Sequence, residues 1–194
     1  MSLSIHVIDD DEQVRESLGL LLETVGHTVL TFASGEAYIE ADAALTDAVL
    51  ILDVRMPGRD GLDVLDHVRQ RSASVPVIMI SGHGDIPLAV KAMQSGANDF
   101  VEKPFVANRI LNAIDKAGAP ADQTVPESED RLAVLTPRER EVAERLAEGK
   151  PNKIVAHELG VSVRTVETHR ARLKSKLSIG SLAELVRIVL ESEN

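Results

Sequence analysis

Four short apolar runs in the first half of this chain each lead into a polar residue suited to phosphate or metal chemistry. Ile5-His6-Val7-Ile8 runs into Asp9 and Asp10, and Val49-Leu50-Ile51-Leu52 into Asp53. Val77-Ile78-Met79-Ile80 runs into Ser81, and Phe100-Val101 is followed by Glu102, Lys103 and Pro104. Near-continuous apolar runs of this length read as strands buried on both faces, the kind found in parallel sheets. Helical patterns over 12–25, 35–43, 62–71, 86–95 and 106–116 separate them, and Gly26 and Gly96 stand at the ends of two of these. Strand and helix patterns that alternate five times within 117 residues specify an α/β domain with a parallel sheet. Ligands of such sheets bind beyond the carboxyl ends of the strands. Three carboxylates, a hydroxyl and a lysine are therefore expected to converge on one spot.

That set of groups fits phosphoryl transfer. A carboxylate accepts a phosphoryl group when cations offset its own charge and that of the donor, so positioning and electrostatics supply most of the catalysis. Mg²⁺ is the expected cofactor, because it takes hard oxygen ligands, commonly one or two carboxylates with water and phosphate oxygens. Asp10 and Asp53 are the expected direct ligands, with Asp9 acting through a water. Lys103 supplies a positive charge to a phosphate oxygen and Ser81 a hydrogen bond. Asp53, at the end of a central strand, is the expected acceptor. Taken singly, each group has a plainer reading. Asp9-Asp10-Asp11 could cap the helix that follows, Asp53 could be a turn residue, Ser81 could begin a loop, and Lys103 could be a solvated lysine. His6, His27, His67 and His83 share no metal-ligand spacing and suit packing or surface roles. No Gly-x-Gly-x-x-Gly follows the first strand, which argues against a dinucleotide site.

The second half has a different character. The net charge of −10 hides a division: residues 1–120 carry 18 acidic and 9 basic groups, residues 121–130 four acids, and residues 131–194 12 basic and 9 acidic groups. A basic segment joined to an acidic one points to an anion-binding half. Residues 118–130, rich in Pro, Ala and acid, read as a solvated linker. Thr136-Pro137-Arg138-Glu139 is a capping box, and helices are expected over 137–148, 152–159, 163–176 and 182–191, with no strand. Ala156, Gly160 and Val166 have helix-turn-helix spacing: a small residue for close approach, a glycine for the turn and an apolar anchor. Across the next helix, Arg164, Arg170, Arg172, Lys174 and Lys176 face a single acid, Glu167, which is an electrostatic footprint for phosphate. A solvated basic helix in a small bundle is the bland alternative. There is no cysteine, which excludes disulfides and cysteine-ligated zinc. No apolar run approaches a membrane span, so a soluble cytoplasmic protein with no membrane partner is expected.

The segments Val7-Ile8-Asp9-Asp10-Asp11, Leu52-Asp53-Val54-Arg55-Met56-Pro57-Gly58, Ile80-Ser81-Gly82-His83-Gly84 and Phe100-Val101-Glu102-Lys103-Pro104-Phe105 resemble those of two-component receiver domains. Leu135 to Val142, Asn152-Lys153-x-x-Ala156 and Arg164 to His169 resemble the LuxR-type four-helix DNA-binding domain. The combination resembles the FixJ subfamily of response regulators. The resemblance implies a doubly wound five-stranded sheet followed by a separate all-α helix-turn-helix domain, divided as 1–118 receiver, 119–131 flexible acidic linker and 132–194 DNA-binding domain. It implies that a sensor histidine kinase phosphorylates Asp53, with Mg²⁺ held by Asp10, Asp53 and the backbone carbonyl of Arg55. Ser81 and Phe100 would form the switch pair, and the Lys103–Pro104 bond would be cis. In double-stranded DNA, Glu167, Thr168 and Ala171 would face base edges. Lys153, Thr165, Arg170, Arg172 and Lys174, with Arg164 beside them, would meet the backbone.

The implied function is a DNA-binding transcriptional regulator switched by phosphorylation. Its own chemistry would be limited to self-phosphorylation from a phosphodonor and slow autodephosphorylation. The face of 86–95 and 100–102 is expected either to form a homodimer on phosphorylation or to release the DNA-binding half. RNA polymerase is a further candidate partner. The last helix is more apolar than one stripe needs, so Leu185 and Ile188 either pack on the bundle or pair two DNA-binding domains. Two other classes remain open: a phosphoryl sink or relay, and a phosphorylation-independent DNA-binding module gated by a partner.

Overall fold

The computed structural model describes residues 3–82, 86–118 and 131–192. The expected linker over 119–131 and His83 therefore lie outside the described residues, apart from Arg131. The order of elements begins with β1 (Ser4–Ile8), α1 (Glu12–Thr24), β2 (Thr28–Phe32), α2 (Gly35–Ala41) and β3 (Ala48–Asp53). It continues with α3 (Gly61–Arg71), β4 (Val77–Ser81), α4 (Ile86–Gln94), β5 (Asp99–Glu102) and α5 (Ala107–Gly118). A 3-10 turn at Arg131–Val134 precedes α6 (Pro137–Ala147), α7 (Asn152–Leu159), α8 (Val163–Lys176) and α9 (Leu182–Ser192). No helix among the described residues is long and apolar enough to cross a membrane.

All strands pair in parallel in the order β2-β1-β3-β4-β5. The chain leaves β1 toward one edge for β2 and returns on the other side for β3, so the strand order reverses at β1 and β3. That reversal opens the crevice in which doubly wound sheets bind ligands. Register follows from the strands' hydrophobic pattern. Ile8 lies opposite Leu52, which sets Asp9 beside Asp53, and Asp53 lies opposite Ile80, one residue before Ser81. Ser81 in turn pairs with Glu102, next to Lys103.

Strands β3 and β4 are buried at every position, as their unbroken apolar runs require. Alternate residues project to opposite faces of the sheet. Ile5, Val7, Val49, Ile51, Ile78, Ile80 and Val101 form one core with Leu18 and Leu22 of α1 and Ile110, Ala113 and Ile114 of α5. On the other face His6 is fully buried, with its ring 5.8 Å from that of Tyr38 and 6.2 Å from that of Phe32. Burial lowers its pKa, so this histidine plays the packing role expected of it. The edge strand β2 is largely exposed. It carries no polar residue of the site and is the one strand whose residues the apolar-run pattern does not name.

The chain divides into two compact units, residues 1–83 with 95–120 and residues 84–94 with 121–194. Chain order alone puts α4 in the first half, but packing groups it with the second unit. Ile86 and Val90 share a cluster there with Leu146, Val186, Ile188 and Val189. Within the second unit Thr136 caps α6 in a complete capping box with Glu139. Gly160 closes α7 at φ +64, a left-handed conformation that glycine adopts without steric cost. Ser162 then caps α8 by accepting from Thr165 N.

Candidate functional site

In the first unit the expected convergence is present. Among the described residues, Asp9, Asp10 and Asp53 bring carboxylate oxygens within 4.8 Å of one another. Asp9 and Asp53 are buried and Asp10 is exposed. Lys103, 94 residues from Asp9, places its Nζ 2.6 Å from Asp9 Oδ2 and 2.8 Å from Asp53 Oδ1. The lysine therefore rests between the carboxylates rather than pointing to open solvent. Ser81 is buried, and its carbonyl accepts from Lys103 N at 2.7 Å, which holds the lysine's backbone against the end of β4. The Lys103–Pro104 peptide is cis. Phe100 is buried in β5.

The plain capping role and the site role divide among the three consecutive acids. Asp11 is the N-cap of α1 and accepts from Gln13 N at 2.8 Å. Asp9 Oδ1 accepts from Asp11 N at 2.9 Å, which leaves its other oxygen to Lys103. Asp53 Oδ2 accepts from Arg55 N at 3.0 Å and Oδ1 takes the lysine.

Burial raises the pKa of Asp53, and the neighbouring Asp9 charge adds to this, while Lys103 and the Arg55 N–H oppose it. Burial also pulls the Lys103 ammonium down, but its bonds to Asp53 and Asp9 outweigh that and the net direction is up. With Asp10 the pocket gathers three carboxylates against one ammonium, a surplus of two negative charges that a divalent cation would neutralise. Hard oxygen donors clustered in this way fit Mg²⁺.

Arg15 and Glu36 escaped the reading of the sequence. Arg15 Nη1 donates to the backbone carbonyl of Asp9 at 2.7 Å and so braces the acid loop. Glu36 Oε1 accepts from Arg59 N at 2.7 Å, across the loop that follows Asp53. A bidentate pair also ties β5 to α5: Arg109 donates to both oxygens of Asp99 at 2.8 and 2.9 Å. Helical period places Arg15 one turn beyond the Asp11 cap, a weak signal. Nothing local marks the other two.

In the second unit, α8 presents Arg164, Glu167, Thr168, Ala171, Arg172 and Lys174 to solvent, while Val166 and Leu173 are buried. Lys153 on α7 is exposed as well. Thr165 and Arg170 are half-buried and already engaged. The Thr165 hydroxyl lies 2.8 Å from Ser162 Oγ, and Arg170 Nη1 donates to Asn152 Oδ1 at 3.2 Å. Lys176 pairs with the buried Glu139 at 2.7 Å, so that base belongs to the joint between α8 and α6 rather than to the free basic face. Leu185 and Ile188 are 3% and 2% exposed in the core of their unit. In this conformation they pack, and neither offers surface to a second copy.

Comparison with known families matches both halves of the chain. The response regulator receiver domain profile matches residues 5–115, and that of the bacterial regulatory proteins of the luxR family matches residues 133–189. The chain is 46% identical over 195 residues to the transcriptional regulatory protein FixJ of Azorhizobium caulinodans, covering 97% of this chain and 92% of that one. It is 39% identical over 186 residues to the tetrathionate response regulatory protein TtrR of Salmonella typhimurium, covering 95% and 90%. Among solved structures, full-length FixJ from B. japonicum superposes with a TM-score of 0.57 at 39% identity, covering 100% of this chain and 98% of that one.

Proposed function

This chain belongs to the FixJ-type response regulators, a receiver domain followed by a LuxR-type DNA-binding domain, and from that premise we propose that Asp53 is the phosphoacceptor and α8 the DNA-reading helix that its phosphorylation controls. The single observation that carries the reading is the place of Lys103. Its Nζ joins two buried carboxylates that come from separate strand ends. Such a group is costly for the fold to keep unless it serves a site.

The donor is a phosphohistidine of a sensor kinase or a small acyl phosphate. An Asp53 carboxylate oxygen attacks phosphorus, the P–N or P–O bond to the donor breaks, and the leaving group takes the displaced electron pair. For this the carboxylate must be ionised and one of its oxygens free, so Lys103 must move from Asp53 toward the incoming phosphoryl oxygens. Ser81, buried at the end of β4 with its carbonyl bonded to Lys103 N, would follow with its hydroxyl. Phe100, buried in β5 opposite Met79, would turn inward as its switch partner. Asp10, Asp53 and the Arg55 carbonyl would hold Mg²⁺, with Asp9 acting through water. The bound ion supplies charge neutralisation between acceptor and donor. Slow hydrolysis of the acyl phosphate, rather than turnover of a substrate, returns the resting state.

The output is double-stranded DNA. Glu167, Thr168 and Ala171 lie on the exposed side of α8 and are assigned to base edges, with Ala171 limited to methyl contact. Arg164, Arg172, Lys174 and Lys153 are assigned to phosphates, which position the domain without reading sequence. Thr165 and Arg170 stay in the contact set but must share their existing partners. Phosphorylation acts as a population shift toward a homodimer that sets two recognition helices on related half-sites. The domains are assigned as 1–118, 119–131 and 132–194, and the protein works in the cytoplasm, where it meets its kinase, the chromosome and RNA polymerase.

The test treats the full chain with acetyl phosphate and Mg²⁺, then measures intact mass and anisotropy of a labelled duplex. A phosphoryl adduct in the wild type that is absent in Asp53→Asn, together with tighter DNA binding by the modified protein, is the expected result. An adduct that persists in Asp53→Asn moves the acceptor elsewhere. Unchanged DNA affinity on full modification removes the switch.

A further inference from the structure

The loop from Val54 to Asp60 follows the acceptor and contains the Arg55 carbonyl, yet apolar packing holds little of it. Val54 and Met56 are buried, while Arg55, Pro57, Gly58, Arg59 and Asp60 are exposed. Polar contacts and close backbone approaches fix it instead. At its far end Glu36, in the first turn of α2, accepts the Arg59 N–H at 2.7 Å. Its own backbone N–H and that of Arg59 hold the Glu36 carboxyl below its ordinary pKa.

The surroundings leave that contact no slack. Gly58 has φ +78, and a Cβ there would lie 2.4 Å from Glu36 Oε1. A Cβ on Gly35 would meet Arg59 O at 3.0 Å, and one on Gly61 would meet Asp53 O at 2.2 Å. The C-terminal end of the loop is thus held twice, at Gly61 against the acceptor's own backbone and at Arg59 on a carboxylate from α2.

We propose that Glu36 is a positioning residue of the phosphoacceptor site, holding the 54–60 loop so that the site takes a divalent cation with full affinity. The inference rests on the reading of Asp53 as acceptor with the Arg55 carbonyl among the metal ligands. Groups outside the ligand set that orient the ligands commonly govern metal affinity. Reach is what matters: glutamine at 36 keeps an oxygen at the right distance, whereas aspartate keeps the charge but falls one methylene short.

The test is calorimetric titration of the full chain with MgCl₂ alone, without phosphodonor, on wild type, Glu36→Gln, Glu36→Asp and Gly58→Ala. Hydrogen exchange of residues 54–60 is followed in metal-free buffer. Glu36→Gln is expected to stay within about twofold of wild type, and Glu36→Asp to lose roughly tenfold in Mg²⁺ affinity. Exchange over 54–60 should quicken only in the aspartate variant. Gly58→Ala, which crowds the same oxygen from the other side, should weaken binding in the same way. Wild-type affinity in Glu36→Asp or in Gly58→Ala overturns the proposal, as does equal loss in the aspartate and glutamine variants. A wild type that takes no Mg²⁺ overturns the underlying reading of the site, and this inference with it.

Discussion

Replacing Lys103 by methionine keeps the length of the side chain and removes the ammonium between two buried carboxylates. The lysine side chain is 21% exposed and those of Asp9 and Asp53 are 0% and 6% exposed, so water screens the group poorly. Stripping one partner from a buried ion pair costs about 3–5 kcal/mol. The partly exposed lysine tip and the option of protonating one carboxyl put the expected loss at the lower end, about 3 kcal/mol. Tyr38 is the only tyrosine in a chain without tryptophan, and it is buried in the first unit, so its emission reports the unfolding of that unit. With a urea slope of about 1.5 kcal/mol per molar, the midpoint should fall by about 2 M. The pH dependence has a definite sign. Burial already raises the Asp53 pKa against the pull of Lys103, and without the lysine it rises further. A carboxyl with a raised folded-state pKa favours the fold at low pH and loses that contribution as pH rises through the folded value. The deficit of the variant should therefore shrink as pH falls from about 8 toward about 5. Mg²⁺ at about 100 times its Kd should return about 2.7 kcal/mol. A midpoint within about 0.3 M of wild type, or a deficit independent of pH, would refute the claim that Lys103 neutralises this pocket.

Three further outcomes are expected in the second unit. Glu139 is held down from an ordinary 4.5 to about 2, first by Lys176 and then by the Thr136 N–H. The stability this lends is present above the unfolded value and lost as pH falls from 4.5 through about 2. Amide signals of α6 and α8 should melt in that window in wild type, and Glu139→Gln, already weakened at neutral pH, should lose the acid step. Gly160→Ala should destabilise the unit by about 1–2 kcal/mol through backbone strain alone, since nothing lies within 4 Å of a Cβ there. Thermal melting by NMR measures this, and phosphorylation of Asp53 should be untouched. Arg172→Ala and Lys174→Ala should each lower the slope of log K against log salt for duplex binding by about 1. An unchanged slope would remove that residue from the phosphate-contact set.

The strand ends were legible because each is encoded within a few residues. An apolar run stops, an acid, hydroxyl or lysine follows, and parallel topology carries those ends to one crevice. The capping box at Thr136 and the turn at Gly160 were legible for the same reason: their partners lie three or four residues away. Arg15, Glu36 and the Asp99–Arg109 pair were not. Their partners are carbonyls, amides or carboxylates whose proximity depends on the path of the chain, such as the 23 residues between Glu36 and Arg59. The Lys176 contact changed a reading, since a base counted toward the DNA face proved to be half of an ion pair with Glu139.

By itself the sequence determined the alternation of elements, the parallel sheet, the identity of the groups in the crevice and the helix-turn-helix spacing. These depend on local periodicity, caps and turns. Only the tertiary structure decided which of the three acids caps a helix and which meets Lys103, and that the lysine rests between carboxylates. It also decided that Leu185, Ile188 and α4 share the apolar core of one unit. An apolar stripe states that a face will be covered but not by what, because burial is non-directional and many surfaces satisfy it equally.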